Sequence, residues 1–318
     1  MCGRSACSLN PETLCRACGY KDAKGHQRTV PWTESEVKYV PSTNIGPKDA
    51  LPCIVAGSYF KKQDERVLCA MMWSIIPPWH EGDYKKCRLS THNARLENIK
   101  TSKLYNPLLH KGKRCIVICE GYYEWKAKKN KKEKAQPYYI YAGQEKGVRA
   151  DNCTTWKDEW SEESGWKGFK VLKMAGIFNR FRTENGKTIY SCTMITTESN
   201  SVLSWMHNRV PVFLNTDEES QIWLNGELPV DEAVDMLNKL TLSNGDLSWH
   251  TVSTVVNNVL CKSEDCRKET KSAYVYTYSN PTSFMASWLK KGSAESAKRK
   301  STESEANDET PSKIAKRK

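Results

Sequence analysis

Seven stretches crowded with β-branched and aromatic side chains set the first limit on the fold. They lie at residues 51–60, 66–76, 114–125, 137–141, 169–181, 187–196 and 247–257. Helical signals are fewer and do not alternate with them. Thr216 and Glu219 form a capping box before Ile222-Trp223-Leu224, and Asp231 opens a stretch with Ala233, Val234, Leu237 and Leu240 on one face. A doubly wound parallel sheet needs a helix between successive strands, so that architecture is disfavoured. The pattern predicts an α+β domain with a strongly curved, barrel-like, mainly antiparallel sheet flanked by short helices. The domain is expected at residues 2–270, a connecting segment at 271–289, and a disordered basic tail at 290–318.

The longest apolar runs, at 68–72 and 115–119, fall far short of the ~20 residues of a membrane span. No apolar signal-peptide core follows Met1, so a membrane or secreted protein is disfavoured. The thirteen cysteines are an odd number spread from Cys2 to Cys266, which reads as reduced thiols of an intracellular protein rather than a disulfide framework. Lys and Arg number 49 against 37 Asp and Glu, a net charge of +12. The tail, with nine basic and five acidic residues, carries +4 of it, so +8 belongs to residues 1–289. A folded body this basic is expected to meet a polyanion.

Two segments read as insertions between strands. Residues 126–134 hold six lysines and are expected to be a hairpin loop, and the polar stretch 143–168 a surface excursion. Near the carboxyl end Phe284, Met285, Trp288 and Leu289 sit at one-turn spacing. They read as a last docked helix, or alternatively as a helical motif for a replication clamp, with Thr282 standing where such motifs carry Gln. Lys298-Arg299-Lys300 and Lys316-Arg317-Lys318, with Lys290-Lys291 as a possible bipartite arm, have the form of nuclear-import signals.

The chemistry most specific to this chain is at its start. Cys2 follows Met1, and a residue this small at position 2 normally lets the methionine be removed. Cys2 would then carry an α-amine with pKa ~7.7–8.0 and a thiol near ~8.5 on adjacent carbons. Such a 1,2-aminothiol condenses with an aldehyde to an imine, and the thiol closes a thiazolidine ring. The alternative use is as an amino-terminal nucleophile attacking a carbonyl.

Other candidates are weaker when taken singly. Glu124 closes the aromatic strand Gly121-Tyr122-Tyr123-Glu124-Trp125, where alternation puts it on one face with Tyr122 and Glu120. A carboxylate among aromatic rings is disfavoured in its charged form, which suits a general acid or base. His207, one of six histidines, falls in a loop between a short helix and a strand; a lone loop His is usually structural. Asn93 reads as a helix N-cap and Asn44 as unremarkable. Cys15 and Cys18 form a C-x-x-C with no second pair at zinc spacing, and there is no Gly-rich phosphate loop, so neither a metal nor a cofactor is expected.

In chain order, Met1-Cys2-Gly3-Arg4, Pro41-Ser42-Thr43-Asn44, Trp73-Ser74-Ile75-Ile76-Pro77-Pro78-Trp79, Asn93-Ala94-Arg95, Gly121-Tyr122-Tyr123-Glu124-Trp125 and Met206-His207-Asn208-Arg209-Val210-Pro211 form one set. The set resembles the SOS response-associated peptidase (SRAP) family, from Cys2 to about Asn257. Ser74 departs from the Gly usual in the tryptophan-proline motif, and 143–168 matches nothing fixed in the family. The resemblance implies covalent capture of abasic sites in single-stranded DNA, with self-removal of Met1 as the peptidase activity. Cys2 would supply amine and thiol, Glu124 proton transfer, His207 a bond to the sugar oxygen, and Asn93 positioning of the sugar or its phosphate. Arg4, Arg95 and Arg209 would contact phosphates, and Asn44 and Trp73 would join the DNA-binding surface. A nuclear, chromatin-associated monomer acting at replication forks is expected. Two other classes stay open: a cysteine peptidase or amidohydrolase using Cys2 and His207, and a non-covalent reader of 5-hydroxymethylcytosine in DNA.

Overall fold

The computed structural model describes residues 2–126 and 135–270. In chain order the strands begin with β1 (Arg4–Cys7), β2 (Tyr20–Lys21), β3 (Gln27–Arg28), β4 (Ser42–Ile45) and β5 (Ala50–Ala56). Next come β6 (Arg66–Trp73), β7 (Asn93–Arg95), β8 (Arg114–Cys119), β9 (Gly121–Lys126) and β10 (Gln136–Ala142). The last six are β11 (Trp160–Ser161), β12 (Gly165–Trp166), β13 (Leu172–Arg182), β14 (Thr188–Glu198), β15 (Arg209–Pro211) and β16 (Leu247–Thr251). The α-helices are short: α1 (Pro11–Ala17), α2 (Asn106–His110), α3 (Asp217–Leu224) and α4 (Val230–Lys239).

Five strands close on themselves. The order β13-β8-β5-β6-β14 is completed by pairing of β13 with β14, from Gly176 opposite Met194 to Arg182 opposite Thr188. All these contacts are antiparallel except β6 with β14. Closure removes the exposed edges that a sheet this apolar would otherwise present. Cys53, Cys69, Cys115 and Cys192 are all buried in this core, where they act as small apolar side chains. The expected curved, barrel-like α+β architecture is what the chain adopts.

A second, fully antiparallel sheet has the order β16-β10-β9-β1-β4. Residues 114–125, expected as one strand, are divided between the two sheets at Glu120. Its N–H goes to Ala6 O at 2.8 Å, and its carboxylate goes to Ser8, Leu9 and Arg267 rather than to the face of Glu124. Gly121 is required just after this junction, because a Cβ there would lie 2.5 Å from the Tyr139 ring and 2.6 Å from Ile140 O. One face of this sheet packs toward the barrel through Tyr122 and Ile140, and the other buries Ala6, Tyr123 and Tyr139.

The excursion at 143–168 is more anchored than its polarity suggests. Trp156 stacks on Phe169 with ring centroids 4.1 Å apart, and Ala150 and Phe169 are buried against Tyr123 and Tyr139. The capping box forms as read, with Thr216 accepting from Glu219 N and the Glu219 side chain reaching back to the Thr216 backbone. Helix α1 escaped the sequence reading, although Asn10 caps it and Pro11 occupies its first turn. The lysines beyond Lys126, the motif at 284–289 and the basic tail lie outside the described residues.

Ser74 has φ +131°, a backbone conformation that a Cβ makes costly, and its N–H is tied to Cys192 O at 2.9 Å. That strain is the physical reason a glycine suits this position. Ser74→Gly is therefore expected to raise the unfolding free energy by about 1 kcal/mol. Urea titration checks it; a less stable variant would show that the Ser74 side chain contributes more than its backbone costs.

Candidate functional site

The segment that carries Cys2 is held at almost every step. Arg4 reaches Asn44 Oδ1 at 3.0 Å, Val256 O at 2.7 Å and Asn257 O at 3.1 Å. Ser5 Oγ donates to Gly121 O, and the Tyr39 hydroxyl bridges Cys7 O and Leu9 O. Ser8 N and Leu9 N both donate to Glu120 Oε1, at 2.5 and 2.6 Å. Glu120 is fully enclosed and ion-paired with Arg267 at 2.9 Å, and Arg267 is itself only 1% exposed. Burial pushes the Glu120 carboxyl up, opposed by Arg267 and by the Ser8 and Leu9 N–H groups. Burial lowers Arg267, while Glu120 and its neighbours hold the guanidinium above its ordinary value. These anchors leave Cys2 little freedom.

Cys2 is 2% exposed. Its carbonyl accepts from Asn93 Nδ2 at 2.6 Å, and its thiol points toward Arg4 O at 3.9 Å. Burial and then the nearby Glu124 carboxylate push the thiol well above its ordinary value. The same surroundings raise Tyr122, by burial first and then by Cys2 and Glu124. Strand alternation thus delivers what it promised for Tyr122 and Glu124, which share the face that meets Cys2. Glu124 is buried rather than an exposed strand end.

Asn93 sits on β7, not at a helix N-terminus. Strand β14 leaves the barrel and pairs on one side with β7, Met194 opposite Asn93, and on the other with β15, Glu198 opposite Arg209. One strand therefore fixes both motifs, though 116 residues of chain separate Asn93 from Arg209. Asn93 Oδ1 is shielded from solvent and has no hydrogen-bond partner among the described residues. Arg95 shares the Asn93 face of the short strand and is exposed.

His207 follows a turn at 200–206 that is anchored by buried Leu203 and Met206, in place of the expected short helix. Its Nδ1 accepts from Arg209 N at 3.0 Å. A neutral ring so engaged carries its proton on Nε2.

Four of the residues expected to contact DNA make hydrogen bonds within the protein. Trp73 is fully buried, with its indole N–H on His92 O at 2.9 Å, so no ring face is free for a base. Asn44 is also fully buried, and its Nδ2 serves the carbonyls of Val256, Asn258 and Cys261. Arg4 is satisfied by the acceptors given above. Arg209, with its side chain 8% exposed, forms a two-pronged pair with Glu97 at 2.7 and 3.0 Å. Trp73, Asn44 and Arg209 thus hold the site in shape, and Arg95 keeps an exposed cationic side chain beside Asn93. Among the described residues no group of three His, Cys, Asp or Glu side chains is arranged to hold a metal ion, and no helix is long and apolar enough to cross a membrane.

The raised, enclosed thiol has a direct consequence. In the free protein a maleimide should label Cys2 at least ~10-fold more slowly than exposed Cys153, because the reacting species is the thiolate and access is limited. The Cys2 rate should keep climbing at alkaline pH after exposed thiols have levelled off. Peptide mass spectrometry reads both; equal rates near neutrality would contradict the enclosed geometry.

Comparison with known proteins agrees with the geometry. The family model for SOS response associated peptidase (SRAP) matches residues 1–259. The abasic site processing protein HMCES of Xenopus tropicalis is 37% identical over 273 residues, covering 84% of this chain and 77% of the relative. Its counterpart of the same name in Gallus gallus is 36% identical over 272 residues, with the same coverage of 84% and 77%. A crystal structure of a Bacteroides thetaiotaomicron protein shares the fold, with a TM-score of 0.59 at 21% identity over 84% of this chain and 99% of that one. With the motifs assembled around one enclosed cysteine and the family model spanning nearly all of the described chain, this protein belongs to the SOS response associated peptidase (SRAP) family.

Proposed function

We propose that this protein processes abasic sites in single-stranded DNA, and that Cys2, once Met1 is removed, captures the lesion as a thiazolidine cross-link. The observation that carries the reading is the setting of Cys2: enclosed, held through its carbonyl by Asn93, with Glu124 beside its thiol. The names of the relatives, abasic site processing proteins, point the same way.

The abasic sugar opens to a C1′ aldehyde, aided by a hydrogen bond from His207 Nε2–H to the ring oxygen. The Cys2 amine adds to the aldehyde carbon, and the resulting carbinolamine loses one water to give an iminium. The Glu124 carboxylate first takes a proton from the Cys2 ammonium, freeing the amine, and returns it to the hydroxyl that leaves as water. The thiol then adds to the same carbon, its proton passes to Glu124 and on to solvent, and the C–S bond closes the five-membered ring. One water and one proton are released overall, and Glu124 ends as the carboxylate it began as.

The raised thiol fits this order of events. A neutral thiol does not compete with the amine for the aldehyde, and the cationic iminium beside it favours its ionisation at the step where a thiolate is needed. A hydrolase would instead need a thiolate poised by a base before substrate arrives, whereas Cys2 is pushed the other way and His207 Nδ1 is occupied. Asn93 Oδ1 is an acceptor for the amine or the carbinolamine hydroxyl, and Arg95 meets a neighbouring phosphate.

The test is to mix mature protein with single-stranded DNA bearing one abasic site, and with the same strand bearing a tetrahydrofuran analogue. An adduct that survives denaturing electrophoresis with the aldehyde-bearing strand alone is expected. No adduct, or equal adducts on both strands, overturns the reading.

A further inference from the structure

Beside the cysteine site four side chains form a cluster that capture of an aldehyde does not use. Trp205 and Trp249 are each 36% exposed, with ring centroids 5.6 Å apart. Tyr138 meets Trp205 edge-on at 5.3 Å, and Lys126 Nζ lies 4.6 Å from the Trp205 ring centre. The Trp205 indole N–H is tied back to Val202 O at 3.0 Å, so the ring is fixed in place. Soluble proteins rarely leave grouped large rings in contact with water unless the surface is used.

The position of the cluster is as informative as its composition. Tyr138 lies directly opposite Glu124 across β9 and β10, and Lys126 is two residues beyond Glu124 on the same face. Trp249, opposite Ile140, continues that face onto the edge strand β16. Trp205 stands two residues before His207. The rings therefore begin one strand away from Glu124, a step of ~4.8 Å, and extend to the sheet edge.

We infer that Tyr138, Trp205 and Trp249, with Lys126, form a stacking platform for bases of single-stranded DNA within about two nucleotides of the lesion. Flat apolar faces beside an ammonium suit a chain of stacked bases joined by phosphates. The Lys126 ammonium beside the rings favours a polyanion over an apolar protein surface, and the sequence carries five more lysines by residue 134. This inference rests on the reading of the site as one for single-stranded DNA, and it adds a base-recognising subsite that holds the strand before any bond forms.

The test uses the full-length protein and fluorescent oligothymidylates that cannot cross-link. One carries a single central tetrahydrofuran; in the other the two nucleotides on each side are tetrahydrofuran as well. Anisotropy at fixed salt should show wild type binding the first strand roughly 5- to 30-fold more tightly than the second. Trp205→Ala should lose about that factor on the first strand and become indifferent to removal of the flanking bases. Trp205→Phe should recover most of the loss, and Trp249→Ala should repeat the pattern more weakly. Equal binding of the first strand by wild type and Trp205→Ala, or equal sensitivity of both to base removal, overturns the platform. Adducts of Trp205→Ala with saturating aldehyde-bearing DNA should remain, so failure of the platform and failure of capture are read separately.

Discussion

Replacing Cys2 by Ala should reduce the heat-stable adduct with abasic single-stranded DNA by about 100-fold or more, and Cys2→Ser should leave one that decays. Ring closure is intramolecular, and effective molarities for such steps reach ~10⁵ M or more. Without a sulfur the reaction stops at an imine, which water reverses. Serine keeps an amine, but its oxygen closes a weaker ring than sulfur does. Borohydride separates the cases, because it reduces and so fixes an imine while leaving a thiazolidine alone. Trapping should therefore rescue an adduct with either variant whose Met1 has been removed and change little for wild type. A full, heat-stable adduct with Cys2→Ala would remove Cys2 from the chemistry.

The second large effect lies away from the reacting atoms. Glu120→Ala takes the carboxylate from Ser8 N, Leu9 N and the Ser8 hydroxyl and leaves the buried Arg267 guanidinium without its main counter-charge. Breaking one side of such a pair typically costs about 3–5 kcal/mol, which for a domain of this size lowers Tm by on the order of 10 °C. Because the pair is enclosed, added salt should not mask the effect. The double change Glu120→Leu with Arg267→Met removes both charges and should recover much of the loss. The variants also separate anchoring from stability: if Glu120 fixes the Ser8–Leu9 backbone, adduct formation should slow even at temperatures where Glu120→Ala is folded. A Tm within about 2 °C of wild type would mean that the pair contributes little net stability.

The barrel was legible in the sequence because its strands are long, apolar and punctuated, and the capping box marked α3 by chemistry specific to a helix start. The break at Glu120 was not, because Cys119-Glu120-Gly121 continues the strand pattern. Only the tertiary partners Ser8 and Arg267, 112 and 147 residues away, explain why the chain turns from one sheet to the other there. Asn93 looked like a cap since local signals cannot register a three-residue strand held by β14. Trp73, Asn44 and Arg209 were found as members of a motif set, but a motif does not say whether a side chain faces a ligand or supports the one that does. The aromatic cluster was invisible for a simpler reason. Tyr138, Trp205 and Trp249 are separated by 67 and 44 residues, and only the folded sheet brings them together.

The central claim is a statement about two atoms of one residue, the nitrogen and sulfur of Cys2, joined to one carbon. Tryptic digestion of the gel-purified adduct, followed by trimming of the DNA to its sugar phosphate, should release Cys2-Gly3-Arg4. Its mass should be that of the peptide plus the open-chain sugar phosphate less one water. It should carry no Met1, no thiol that iodoacetamide can alkylate, and no added hydrogens after borohydride. A cross-link on a lysine, or one on a peptide that still begins with Met1, would contradict the account.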